Sequence, residues 1–193
     1  DVPGIAACAK HFVGYSAPST GRDRTTANIP ETLLRDVYLP PFAAAVAAGV
    51  ETVMINSGDI NGVPLHASRW LLTEILRGEM GFEGVIVTDW EDVIKLHTLH
   101  RVATTHRDAV RIAIEAGIDM SMTPFDYGFA DELVCLVRDG DVAQERVDAS
   151  VRRILSLKAR LGLLERALPN APAMEQSERI KVSAESASAW LLY

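Results

Sequence analysis

The run Val85-Ile86-Val87-Thr88-Asp89-Trp90 puts a carboxylate at the end of four β-branched residues, the first three of them apolar. In parallel α/β folds the active site forms at the carboxyl ends of the strands, so Asp89 should stand at the rim of such a sheet. A carboxylate there could attack an anomeric carbon and form the covalent intermediate of a retaining glycosidase. Trp90, next to it, offers an aromatic face to the C–H surface of a sugar. The competing reading of the same position is a helix cap, with Asp89 holding the start of a short helix near Glu91.

Other polar residues at strand ends are few: Lys10-His11, Asn56-Ser57, and Asp119 with Ser121. Lys10 and His11 could donate to sugar hydroxyls, and Lys10 would help keep a nearby carboxylate ionised. Successive strand residues point to opposite faces, so both reach one site only if their strand is ending there. Lys10 as a Schiff-base lysine is a second reading, weakened by the adjacent His and by the lack of a phosphate-binding Gly-rich loop. His97, His100 and His106 lack the third-ligand spacing of a metal site and read as solvated or hydrogen-bonded histidines. The loop Ser19-Thr20-Gly21-Arg22-Asp23-Arg24-Thr25 is not spaced as a phosphate loop; it reads as a lid held by Arg–carboxylate pairs. Cys8 and Cys135 are too few for a disulfide framework and read as buried thiols, one in an apolar strand and one on an apolar helix.

Positioning these groups requires strands at 5–12, 51–57, 84–90 and 118–122, each followed by a segment with helical spacing. That alternation implies βα units and a parallel sheet. Pro30 opens a helix through Leu33, Leu34 and Val37; Pro40-Pro41 ends it and starts another over 42–48, closed by Gly49. Ser68 is placed to cap a helix through Leu71, Leu72, Ile75 and Leu76, closed by Gly78. Thr105 caps one through Ala109, Ile112, Ala113 and Ala116, closed by Gly117. Val147, Val151, Ile154, Leu155 and Leu161 form an apolar stripe ended by Gly162. Residues 169–177 read as a linker, and 180–193 as a helical pattern whose apolar end suggests that the chain continues. Four βα units are half of an eight-stranded barrel, so the alternatives are an open sheet or a barrel without its first half.

With 48% apolar and 23% charged residues, the 193-residue chain has the composition of a globular protein with one sizeable core. A net charge of −7 argues against nucleic-acid binding, which usually needs a basic face. No apolar run approaches the roughly 20 residues of a membrane span. The first residues lack the basic and apolar regions of a signal peptide, and the chain does not begin with Met, so it reads as processed or partial.

In order along the chain stand Ala9-Lys10-His11-Phe12 with Gly14-Tyr15, Leu39-Pro40-Pro41-Phe42, and Ile60-Asn61-Gly62-Val63-Pro64. Leu76-Arg77-Gly78, Thr88-Asp89-Trp90, Ala116-Gly117-Ile118-Asp119-Met120 and Arg152-Arg153-Ile154-Leu155 follow. Together these resemble glycoside hydrolase family 3, the family of many β-glucosidases and β-xylosidases. The resemblance implies an α/β fold in which residues 1–165 are strands 5 to 8 of a (β/α)8 TIM-like barrel with their helices. Residues 166–193 would then lead, near Ala184-Glu185-Ser186, into a second α/β domain. It implies Asp89 as nucleophile, Lys10, His11 and Trp90 as sugar-binding residues, no metal, no cofactor, and a general acid outside the chain. The partners implied are a carbohydrate substrate and the rest of the enzyme, with no nucleic acid or membrane, in an extracellular or periplasmic setting. Relatives often carry a Tyr near Ser57 to steady the nucleophile; Asn56-Ser57-Gly58 leaves that role unassigned. The loop over 14–27 lacks the His of the N-acetylglucosaminidase branch, which favours the glucosidase-like one. A sugar-binding fragment without catalysis is the alternative from another class.

Overall fold

The computed structural model describes residues 5–125 and 127–164. Four parallel strands form one sheet: β1 (Cys8–Phe12), β2 (Thr52–Ile55), β5 (Val85–Trp90) and β6 (Met120–Met122), in the order β1-β2-β5-β6. Between β2 and β5 a two-residue hairpin, β3 (Asp59–Ile60) and β4 (Val63–Pro64), forms a separate antiparallel pair. Its turn is Asn61-Gly62, both at positive φ (53° and 84°), the conformation an Asn-Gly hairpin turn requires. That dipeptide was the available signal for the hairpin; the polar stretch was read only as a strand-end loop.

The helices follow the strands as the alternation requires. Pro30 caps α1 (Glu31–Leu33), which runs into a π-helical turn, Leu34–Tyr38. α2 (Pro40–Ala47) starts on the Pro pair, whose missing N–H groups fall in the first turn, where no helical partner exists. A ten-residue π-helix, Trp70–Glu79, buries Leu71, Leu72, Ile75 and Leu76; Ser68 Oγ accepts from Leu71 N at 3.3 Å at its start. Gly78 lies inside this helix and does not close it; the left-handed residue comes later, at Gly81 (φ 69°). α3 (Asp92–Thr98), α4 (His106–Ala116), α5 (Gly128–Arg138) and α6 (Gln144–Arg160) complete the described chain. Thr105 caps α4 as expected, its side chain accepting from Asp108 N. Gly117 ends α4 at φ 125°, where a Cβ would stand 2.8 Å from Thr73 Oγ1, so the position admits no side chain.

The core lies where β2 and β5 meet the helices. Val53, Ile55, Ile86, Leu72, Ile75, Leu76, Leu96, Ala109 and Ala113 are fully or almost fully buried. β1 differs from its expected buried character. It starts at Cys8, not Ile5, and within it only Phe12 is buried, because β1 is an edge strand. Cys8 is therefore exposed and Cys135 only partly buried, which corrects the expectation of two buried thiols. No helix among the described residues is long and apolar enough to cross a membrane. The expected linker and terminal helical segment, and the domain boundary at 165/166, lie outside the described residues.

Asp119 was grouped with the strand-end candidates, but it precedes β6 and sits at the opposite end of the sheet. Its buried carboxylate accepts from Ile86 N at 2.9 Å, Ser150 Oγ at 2.7 Å, Arg153 Nη1 at 3.0 Å and Arg77 Nη2. Three elements converge on one carboxylate: it ties α6 and the π-helix to the start of β5. Burial pulls Arg77 down to about 10, with the Asp119 charge opposing, so the guanidinium stays charged near neutral pH. Ser121 Oγ, the other candidate there, is buried and has no hydrogen-bond partner among the described residues.

Candidate active site

Asp89 stands at the carboxyl end of β5, beside the ends of β1 and β2. Its Oδ2 accepts from Ser57 Oγ at 3.0 Å and its Oδ1 from Trp90 N at 2.6 Å. His11 Nε2 lies 3.7 Å from Oδ2, and Arg24 Nη2 lies 3.7 Å from Oδ1. Burial alone would raise the Asp89 pKa. The hydrogen bonds from Trp90 and Ser57 and the charges of Arg24 and His11 outweigh it, so the carboxyl stays below its ordinary value. The helix-cap alternative is not what the structure has. Glu91 is the N-cap of α3, in a left-handed conformation at φ 56°, and no side chain caps the helix there.

Ser57 thus takes a place that the sequence left unassigned. Asn56, its neighbour, is structural: Nδ2 donates to Val13 O at 2.9 Å and Oδ1 accepts from Gly58 N at 2.9 Å. Thr88 is buried and accepts from Met122 N at 2.8 Å, closing β5 against β6. These three hydrogen bonds commit Asn56 and Thr88 to the scaffold, while the Ser57 hydroxyl turns to the Asp89 carboxylate.

The expected loop with Arg–carboxylate pairs is present, and it reaches the site. Arg24 Nη1 donates to Asp92 Oδ1 at 3.2 Å, and its Nε lies 3.5 Å from Asp23 Oδ2. The β3–β4 hairpin braces this loop from below: Thr26 Oγ1 donates to Asp59 Oδ2 at 2.9 Å, and Asn61 exchanges two hydrogen bonds with the Ile29 backbone. The sequence placed Arg24 in a loop of Arg–carboxylate pairs but did not single out Asp92, because their pairing joins positions 68 residues apart.

Lys10 and His11 both line a cleft of about 310 Å³ with Tyr15, Tyr38 and Phe42, but Asp89, Ser57 and Trp90 do not line it; of the two, His11 is the one that also reaches Asp89. The His11 ring lies 4.7 Å from that of Tyr15, whose hydroxyl donates to Asp23 Oδ1 at 2.8 Å. Burial lowers the His11 pKa; Asp89 opposes this and Lys10 reinforces it. Lys10 itself is exposed and forms no ion pair with Asp89, so the expected support for the carboxylate comes from Arg24 instead. Trp90 is 45% exposed, with its ring edge-on to Phe125 at 5.7 Å. Of the histidines, His97 Nδ1 is 3.1 Å from Ala103 O, and His100 is half-buried. Among the described residues no group of three His, Cys, Asp or Glu side chains is placed to hold a metal ion.

A rim carboxylate kept ionised beside a histidine, an arginine and an open indole is the arrangement to set against known proteins. Residues 2–157 match the family model described as the glycosyl hydrolase family 3 N terminal domain. The chain belongs to glycosyl hydrolase family 3. It is 52% identical over 171 residues to a lysosomal β-glucosidase of Dictyostelium discoideum, covering 88% of this chain and 21% of that protein. It is 40% identical to a β-xylosidase of Formosa agariphila, covering 83% and 23%. Among solved structures, a β-glucosidase from Listeria innocua in complex with glucose superposes with a TM-score of 0.79. That match has 36% identity and covers 83% of this chain and 22% of that one. The chain therefore spans about a fifth of the length of the family 3 relatives it matches.

Proposed function

We propose that this chain carries the nucleophile side of a retaining glycosidase acting on terminal β-linked glucose-type residues. The observation that carries the reading is the state of Asp89: a strand-end carboxylate, one fifth exposed, held ionised by two donated hydrogen bonds and a flanking arginine. In the first step an Asp89 oxygen attacks C1 of the sugar, and the bond from C1 to the leaving oxygen breaks with its electron pair. An acid contributed by another segment protonates that oxygen. Water then attacks C1 from the side of the departed group, giving its proton to the now deprotonated acid, and the C1–Asp89 oxygen bond breaks to free the sugar and the carboxylate. Lys10, His11 and Trp90 bind the sugar, the first two through its hydroxyls and Trp90 through its C–H face.

Membership of family 3 and the sugar-bound relative support a carbohydrate substrate. The four-stranded parallel sheet fits strands 5 to 8 of a (β/α)8 barrel, with the other half and a second domain supplied by the rest of the protein. An extracytoplasmic setting belongs to the same proposal, in keeping with relatives named as lysosomal and periplasmic enzymes. The Schiff-base alternative loses ground because Lys10 is exposed and lacks the desolvated pocket such an amine needs.

The deciding experiment is Asp89→Asn in the full-length protein, assayed on an aryl β-glucoside. Turnover should be abolished; retained turnover would remove Asp89 from the nucleophile role.

A further inference from the structure

Arg24 lies between two carboxylates and is bound more closely to the one that does no chemistry. Its Nη1 hydrogen-bonds Asp92 Oδ1 at 3.2 Å, while its Nη2 stops 3.7 Å from Asp89 Oδ1. Asp92 is 2% exposed, and the same oxygen accepts from Lys95 Nζ at 2.7 Å. Lys95 Nζ also donates to the Trp90 carbonyl at 2.6 Å, which ties Asp92 to the backbone beside Asp89. From the loop side, Asp23 steadies the guanidinium. Arg24 itself is held at φ 59°, a left-handed conformation that persists only where surrounding contacts enforce it.

The remaining groups facing Asp92 are histidines. His66 Nε2 lies 3.7 Å from Asp92 Oδ2, and neither atom has a hydrogen-bond partner among the described residues. Burial pushes His66 down to about 4, so it is neutral near pH 7. His100, from the turn after α3, is also lowered by burial, with Asp59 and Asp92 opposing. Arg24 and Lys95 are thus the cations that Asp92 meets at neutral pH.

An arginine fork has the geometry to close on a carboxylate with two parallel hydrogen bonds. Each Asp89 oxygen already accepts one hydrogen bond, from Ser57 or Trp90; a fork closing on both would engage the lone pairs that remain, and the nucleophile would attack poorly. We propose that Asp92 is a positioning residue that holds Arg24 off Asp89, leaving the nucleophile charged but free to attack. This rests on the reading of Asp89 as nucleophile.

The test measures, against pH in the full-length protein, the rate at which a fluorinated glycoside inactivator labels Asp89. Asp92→Asn should slow labelling by about tenfold or more and shift its acid limb to lower pH, because Arg24 closes on Asp89. Adding Arg24→Gln to Asp92→Asn should then restore most of the lost rate. A merely structural role makes the double variant at least as slow as the single one, and that result, or an unchanged rate in Asp92→Asn, overturns the proposal. If Asp92→Asn does not fold, Lys95→Met takes its place. Loss of Lys95 should draw Arg24 further towards Asp92 and raise the acid limb in the native background but not with Arg24→Gln; equal shifts in both overturn the proposal. Asp89→Asn is the separate control: if it still turns over substrate, the nucleophile reading itself fails.

Discussion

At the scale of single residues, the charge on Asp89 is set by its neighbours and can be tuned one donor at a time. Ser57→Ala removes the hydrogen bond to Oδ2, so the carboxyl should titrate higher. The acid limb of kcat/KM in the full-length protein should then rise by about one pH unit, with activity retained above it. His66 makes the opposite kind of prediction, about stability. Folded, its pKa is lowered to about 4; unfolded, it returns to the ordinary 6.5. The unfolded chain therefore takes up a proton first as the pH falls. Stability is complete above pH 6.5 and declines through the window down to about 4, by on the order of 3 kcal/mol. Urea midpoints near pH 7 and pH 5 should differ less in His66→Asn than in the native chain. Asp89 and His11 were legible in the sequence because each is a polar residue late in a short strand-like run. Ser57 was legible as a polar residue at a strand end, but its role was not: the place of the family's Tyr was left unassigned. Arg24 and Asp92 were not legible as a pair, since nothing local to either one specifies that the loop folds back over α3.

Elements are held by a few positions where local chemistry and packing agree. Thr105 accepts from Asp108 N at 3.0 Å, and Asp108 Oδ2 accepts from Thr104 N at 2.9 Å, so the first turn of α4 is closed from both sides. Thr105→Ala should cost about 1 kcal/mol, read as a lower thermal midpoint without change at the site. Gly84, just before β5, is more constrained. A Cβ there would collide with the Glu51 carbonyl, which accepts from Val85 N, and would stand 2.7 Å from the Phe82 ring. Gly84→Ala should lower stability by roughly 3 kcal/mol and loosen β5 against β2, which a thermal melt would detect. The Thr105 cap, the Pro40-Pro41 start and the strand order of the alternation were readable because each depends on neighbours in sequence. The π-helical hydrogen bonding of 70–79 and the exposure of β1 were not: the first depends on packing, the second on which strand ends at an edge.

For the molecule as a whole, the described sheet presents β1 and β6 as its edges. If the chain is half of a barrel, the isolated chain should show no turnover of an aryl β-glucoside while the full-length protein does; turnover by the isolated chain would refute the half-barrel proposal. The family was legible because its motifs recur in order along the chain, whereas no motif in it specifies a sugar or a linkage.

The sheet order β1-β2-β5-β6 follows the order of the chain, the small hairpin standing aside. Among the described strands of this sheet, each one after β1 therefore emerges to find the neighbour it pairs with already made. Parallel pairing is slow because its loops are long. Here that slowness is spread over the time of synthesis, so the fold can grow strand by strand in the direction of translation.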